Sequence, residues 1–427
     1  MKPLLIATCC ALVGAPAAAQ SSVTVSGILD AAARHVSNEG RGSISSLVSG
    51  SNNTSRLIFS GREDLGGGLT AAFWLEHGLS VDSGAVNEAT KFWDRRSTVS
   101  LLGRQWGEVR LGRDFIPSYT SWTRFDPFSY VGVARSANVV TGGQTGPIGA
   151  TFGSNPNTTV RSDNAVQYLS PAVAGFDVGL MVAAGEGGAV ASGNAKLYAG
   201  RVGYASGPVN ASAAYTTSEN ANTVAGKFKD ATVGASYDIA NVRLGAAWRQ
   251  FKYGTAEQTM WMLSAVGTFG PHEVKGSFIK VDMDGRVGAA NIGANGARQL
   301  GLGYVYNLSK RTALYTTAAR IDNDGASTFT IAGGLAAWPA AARRPATKPA
   351  SGTGSETPGV QPAAADRPCA AARAGRSIAA PNVRRTRPGA WCDPAPGAGG
   401  FNARSASRSS RPPAPCRPAG PAAVRPC

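Results

Sequence analysis

Arginine is the residue whose placement most suggests chemistry in this chain. Arg56, Arg62, Arg95, Arg96, Arg110, Arg113, Arg124 and Arg135 crowd one stretch of the 427-residue sequence, and Asp114 and Asp126 fall among them. A guanidinium keeps its charge at any physiological pH and presents a rigid fork of donors, so such a cluster attracts anions by electrostatic focusing, an effect that weakens with added salt. A bland alternative stands beside it. The same arginines can pair with Glu63, Asp64, Asp94 and Glu108 and do no more than stabilise strands and turns.

Other chemistries find little support. The histidines, His35, His77 and His272, are far apart and show no metal-ligand repeat. No serine, histidine and acid arrangement of the kind a hydrolase needs is evident. Leu65-Gly66-Gly67-Gly68 lacks the helix and basic residue of a phosphate-binding loop and reads as a turn. Cysteine is absent between Cys10 and Cys369, which rules out thiolate metal sites and disulfides in that span. The sequence therefore predicts no enzyme, no cofactor and no metal.

The elements that must position the arginines are strands. Hydrophobic residues make up 43% of the chain and charged residues 16%, with 54 glycines, and small and polar residues are spread too evenly for long amphipathic helices. Val23-Thr24-Val25-Ser26-Gly27 alternates valines with hydroxyls, and Arg243 to Arg249 puts Leu244, Ala246 and Trp248 on the face opposite Arg243, Gly245, Ala247 and Arg249. Such segments, separated by alternately short and long connections rich in Gly, Asn, Ser and Asp, are the pattern of a transmembrane β-barrel. Trp106, Tyr237, Tyr304, Tyr306 and Tyr315 lie near strand ends, as interfacial girdles require. No later stretch offers the roughly 18 to 20 apolar residues of a membrane helix.

Residues 1–19 have Lys2, an apolar run from Leu4 to Val13 and a small-residue end at Ala17-Ala18-Ala19, the pattern of a cleavable secretory signal. Residues 20–336 would then hold the barrel. About sixteen strands of roughly ten residues with their connections need on the order of 300 residues, and this span supplies them. Composition changes abruptly near Trp338: residues 337–427 carry 16 of the 25 prolines, four of the six cysteines and 14 Lys and Arg against 3 Asp and Glu. That composition predicts a disordered tail. In an exported chain without interleaved aromatics, nucleic acid is not expected as its partner.

Ser55-Arg56-Leu57-Ile58-Phe59-Ser60-Gly61-Arg62-Glu63-Asp64-Leu65-Gly66-Gly67-Gly68-Leu69 resembles the Gram-negative general porins of β-proteobacterial type. Further similar pieces follow in order: Ser22 to Gly27, Glu108 to Arg113, Asp163 to Pro171 and Tyr304 to Tyr315, with unspecific loops such as Asn38 to Thr54 between them. The resemblance implies an all-β, sixteen-stranded barrel of the outer membrane, usually a homotrimer in lipid, that passes small hydrophilic solutes and anions by passive diffusion. It also implies a third external loop, about 114–161, folded inward as a constriction. Arg56 and Arg62 lie opposite Leu57 and Phe59, hence toward the lumen, since a charge facing lipid at midplane costs about 2–4 kcal/mol. The resemblance adds Arg95 and Arg113 to the wall, opposed by Asp114 or Asp126 on the loop, in a transverse field that sorts solutes. A non-conducting structural or adhesive barrel is the competing reading.

Barrels of this family close with a strand ending in an aromatic residue. After Thr328-Phe329-Thr330-Ile331-Ala332 this chain runs instead into Pro339 and the basic tail, so the last strand is expected to be missing. The Arg, Pro, Ala and Gly content of 337–427 is what GC-rich DNA encodes out of frame, and a frame shift is preferred to a natural tail. The encoding DNA tests this directly. A barrel lacking one strand is expected to assemble poorly, because two unpaired edges are then left in lipid.

Overall fold

The computed structural model describes residues 22–141, 146–153, 156–185, 193–335 and 351–361. The signal expected at 1–19 and most of the expected tail, 362–427 included, lie outside them. The unit that holds the described residues is a closed antiparallel sheet. Its strands are β1 (Ser22–Ile28), β2 (Ala31–Asn38), β3 (Gly42–Ser49), β4 (Arg56–Gly66), β5 (Leu69–Gly78), β6 (Arg96–Gly103), β7 (Gly107–Phe115), β8 (Arg161–Leu169), β9 (Phe176–Ala183), β10 (Lys196–Ser206) and β11 (Val209–Glu219). The series continues through β12 (Phe228–Ile239), β13 (Val242–Tyr253), β14 (Ala256–Phe269), β15 (His272–Asp284), a short hairpin of β16 (Arg286–Val287) and β17 (Ala290–Asn291), β18 (Gly296–Asn307), β19 (Ala313–Asp324) and β20 (Ser351–Gln361). Because β1 pairs with β4 and β2 with β3, those four segments form two traverses, and the eighteen strands of the main sheet make sixteen.

Alternation decides what faces where. Along β13, Ala247, Arg249 and Phe251 are buried toward the interior while Leu244 and Trp248 point outward. The outward set includes Val233, Leu244, Trp261, Leu263, Phe278, Leu300 and Leu302, all exposed, the apolar outer band of a barrel set in lipid. No helix among the described residues is long and apolar enough to cross a membrane. Trp106, Tyr237 and Tyr304 also face outward, but Tyr315 does not: it is 2% exposed and its hydroxyl donates to Asp30 Oδ1 at 2.5 Å, so it belongs to the interior and not to a girdle.

One end of the barrel is closed by tight turns. Between β4 and β5, Asp64 Oδ1 accepts the Gly66 N–H at 2.9 Å, and Gly66, Gly67 and Gly68 all take positive φ, which explains three successive glycines. The other end carries the long connections, above all 116–160. Two of its connections are short, however: β2 turns directly into β3, and β13 into β14. The segment Asn38 to Thr54, expected as loop, therefore contains a strand. Its Ile44, Leu47 and Val48 do not keep a two-residue period, and the pairing of Ala31–Asn38 with Gly42–Ser49 supplies the order that side-chain patterning lacks.

The expected gap at the end of the barrel is corrected in the same way. Strand β20, inside the presumed tail, sits between β19 and β2 and closes the sheet. Both ladders shift register over Thr357 and Pro358: Tyr315 pairs with Gly359 and Thr317 with Glu356 on one side, Ala31 with Val360 and Arg34 with Glu356 on the other. Pro358 has no N–H to give, and a bulge is where a sheet tolerates proline. The barrel thus extends beyond 336. Two open edges accept a segment whose own side-chain pattern does not announce a strand.

Candidate functional site

The 116–160 connection folds into the barrel. Ile116 is extended, Pro117 starts the short helix α1 (Pro117–Thr123), and α2 (Ala137–Thr141) and α3 (Pro147–Phe152) follow. Trp122, Phe125, Phe128, Val139, Val140, Ile148 and Phe152 pack against interior side chains of β12 to β19, including Phe228, Phe251, Met260, Ile279 and Ile321. The interior is thus filled along that wall, and open space is left between the loop and the opposite wall.

A buried polar clamp holds α1 in place. Ser118 Oγ donates to Asp230 Oδ2 at 2.6 Å and accepts from Thr216 at 2.9 Å, while Ser121 bonds Ser212 at 3.0 Å. Asp230 is gripped from below by Arg249 through two bonds, Nε at 2.9 Å and Nη2 at 2.7 Å, and neither side chain is more than 1% exposed. Removing one partner of such a pair strands the other charge, at a cost of about 3–5 kcal/mol. Arg249→Met is expected to lower the temperature at which the folded form converts on a semi-native gel. The double change Asp230→Leu with Arg249→Met is expected to regain much of that loss. Equal midpoints for the single variant and the wild type would count against the clamp.

The open space is a cavity of about 780 Å³. Five arginines line it, Arg56, Arg95, Arg124, Arg161 and Arg201, with only Glu76 and Asp177 as acids. Glu76 accepts from Arg95 at 2.5 Å and lies 3.5 Å from Arg56, and Asp177 is paired with Arg201. Arg161 stacks its guanidinium 4.3 Å from the Phe115 ring centre and donates to the Arg95 carbonyl at 2.8 Å. Arg124, one residue past α1, makes no ion pair within 4 Å among the described residues, and Asp177 acts on it only from further off. Partial burial, then the like charge of Arg201, holds its guanidinium below the usual range.

Of the residues expected from sequence, Arg56 and Arg95 come together here. Arg62 shares the face of Arg56 on β4 but is exposed at the tight-turn end, paired in register with Ser22 and Ala72. Arg113 is buried beside the cavity and donates to Asp163 at 2.5 Å and to the Asp94 carbonyl at 2.7 Å. Asp114 belongs to β7, not to the loop, and binds Arg110 at 2.5 Å, with Arg96 3.5 Å away, around an adjoining pocket of about 260 Å³ that shares Glu76, Phe115, Thr120 and Arg201 with the cavity. Asp126 is on the loop but turned away from the opening: it is 4% exposed and accepts from Phe128 N at 2.9 Å, Tyr130 N at 3.2 Å and Ser136 Oγ at 2.5 Å. Burial pushes its carboxyl above the usual range against those bonds. It fixes the loop's own turn instead of opposing the arginines. Arg161, Arg201, Glu76 and Asp177 went unnoticed in the sequence. Alternation would have found Arg201, which lies between outward Gly200 and Val202.

A closed sixteen-traverse barrel with an apolar outer band and an inward loop leaving a charged aperture defines an outer-membrane diffusion channel, not an enzyme. The comparisons agree: the Gram-negative porin family matches residues 7–326, and the chain belongs to it. Outer membrane porin protein 32 of Delftia acidovorans is 36% identical over 77% of this chain and 92% of its own length. An anion-selective porin from Comamonas acidovorans superposes with a TM-score of 0.63 at 33% identity, over 80% of this chain and 99% of the other. OmpT of Vibrio cholerae, solved in a trimer form, shares the fold at 15% identity, with a TM-score of 0.52 over 79% and 99% of the two chains.

Proposed function

We propose that the arginine-lined cavity is the narrowest part of the pore and gives it a preference for small anions, and that the chain works as a homotrimer. The observation that carries this reading is the charge of the lining, five guanidiniums against two carboxylates. In a narrow passage with low-dielectric walls that excess raises the local concentration of anions. The relative from Comamonas acidovorans bears the name anion-selective, and the trimer form of the OmpT neighbour supports the assembly. Arg56 and Arg95 act in the aperture. Arg62, Arg113, Asp114 and Asp126 act indirectly, through the turn, the wall and the loop.

Planar-bilayer recording in a potassium chloride gradient tests the reading. The reversal potential should carry the sign of chloride preference and, at a fixed concentration ratio, shrink as both baths are raised toward the molar range, where the screening length falls to about 3 Å. A cation-preferring or salt-independent potential would refute it. Cross-linking of the detergent-extracted protein checks the trimer.

A further inference from the structure

We infer that a lysine cluster on the lipid-facing rim of β10 to β13 is a docking site for the phosphate groups of the outer-leaflet glycolipid. At the end of the barrel that carries the long connections, Tyr198, Thr217, Lys229 and Lys252 occupy one rung across four adjacent strands, each in register with the next. Lys196 lies two residues beyond Tyr198 on the same outward face, and Lys227 reaches the same ring: both Nζ atoms stand 5.8 Å from the Tyr198 ring centre. Two residues further into the membrane Tyr215 is exposed, and four residues in, Val202, Val233 and Trp261 belong to the lipid-covered band. The lysines therefore stand where lipid headgroups begin, and long side chains of this kind extend their charge to the interface.

The local charge is unbalanced. Glu219 pairs with Lys227 at 2.8 Å and also faces Lys196 across the ladder, and Glu257 pairs with Lys252 at 2.6 Å, so two carboxylates serve four lysines and Lys229 has no carboxylate partner among the described residues. Lys229 also faces Lys252 directly across the ladder, and like charges so placed destabilise a sheet. The rim of β15, β18 and β19 is built differently. There Lys280 pairs with Asp282, Arg298 with Asp324 and Arg320 with Asp322, each at 2.9 Å, so every one of these cations is neutralised by the protein itself. Of these two rims, the β10 to β13 one carries the excess of positive charge that an anion from outside would balance. The layer in contact with it in a Gram-negative outer membrane is a glycolipid whose phosphates are the nearest anions, and basic residues at a membrane surface bind such groups.

The test uses the full chain refolded in detergent, with purified bis-phosphorylated lipid A as probe and its dephosphorylated form as the comparison. Lipid retained by the folded fraction is measured by mass spectrometry. Wild type should retain the phosphorylated form and not the dephosphorylated one. At about fivefold in affinity per lysine, Lys196→Gln with Lys229→Gln and Lys252→Gln should lower retention more than tenfold. Lys280→Gln with Arg298→Gln and Arg320→Gln should leave it unchanged. Lys229→Gln alone, a single exposed change that folding tolerates, should lower it about fivefold. Retention by the β10 to β13 variants equal to wild type, equal retention of dephosphorylated lipid, or an equal loss in the β15 to β19 variant would each overturn the site.

Discussion

Deletion of Ser351–Gln361 is expected to abolish the folded barrel altogether. Without β20, the backbone of β19 from Ala313 to Asp322 and that of β2 from Ala31 to Asn38 lose the pairing that closes the sheet. In hydrocarbon each unsatisfied N–H or C=O costs several kcal/mol. A few such groups already exceed the total stability of about 5–15 kcal/mol of a typical fold. The deleted chain should run only at its denatured position on a semi-native gel, whereas the full chain should show a folded, heat-modifiable band. This reverses the sequence-based expectation of poor assembly, which assumed that the last strand was absent. A folded band from the deleted chain would show that β19 and β2 can close without the segment.

Nothing local in β20 marks it as a strand. Ser-Gly-Thr-Gly-Ser-Glu-Thr-Pro-Gly-Val-Gln has almost no apolar alternation and contains a proline, so each local signal argues against a strand. Its order comes from two long edges with no other partner, a tertiary fact. The same holds for β3. Where one face meets lipid and the other meets water or the inward loop, as along β13, alternation was enough to orient Leu244 and Arg249 correctly. Orientation is not height, however. Arg56 and Arg62 share a face, yet six residues of strand separate them by about 20 Å, which places one at the aperture and the other beside the turn. Position along the barrel depends on where the loop enters, and nothing periodic in 116–160 encodes that. Asp126 failed for a related reason: on an irregular segment a carboxylate has no predictable face, and this one serves backbone donors.

Reversing charge at two lining positions is expected to invert the pore's ionic preference. The cavity carries three more positive than negative side chains. Arg124→Glu reduces that excess to one, and adding Arg56→Glu makes it minus one. These positions are chosen because Arg124 makes no ion pair within 4 Å among the described residues and Arg56 stands 3.5 Å from Glu76, a looser contact than the 2.5 Å bond by which Arg95 keeps Glu76 paired. At an effective dielectric near 20, a unit charge about 8 Å from a permeating ion contributes about 2 kcal/mol before screening, so each reversal should move the anion-to-cation permeability ratio on the order of tenfold in dilute salt. Arg124→Glu alone should bring the reversal potential close to zero, and the double variant should change its sign. In 1 M salt the three proteins should converge, because screening leaves aperture size as the common determinant. Single-channel conductance there should differ little, since glutamate is shorter than arginine and does not narrow the passage. If the double variant keeps the wild-type reversal potential in dilute salt, selectivity is set elsewhere along the lumen, and the pocket around Arg96, Arg110 and Asp114 becomes the next place to look.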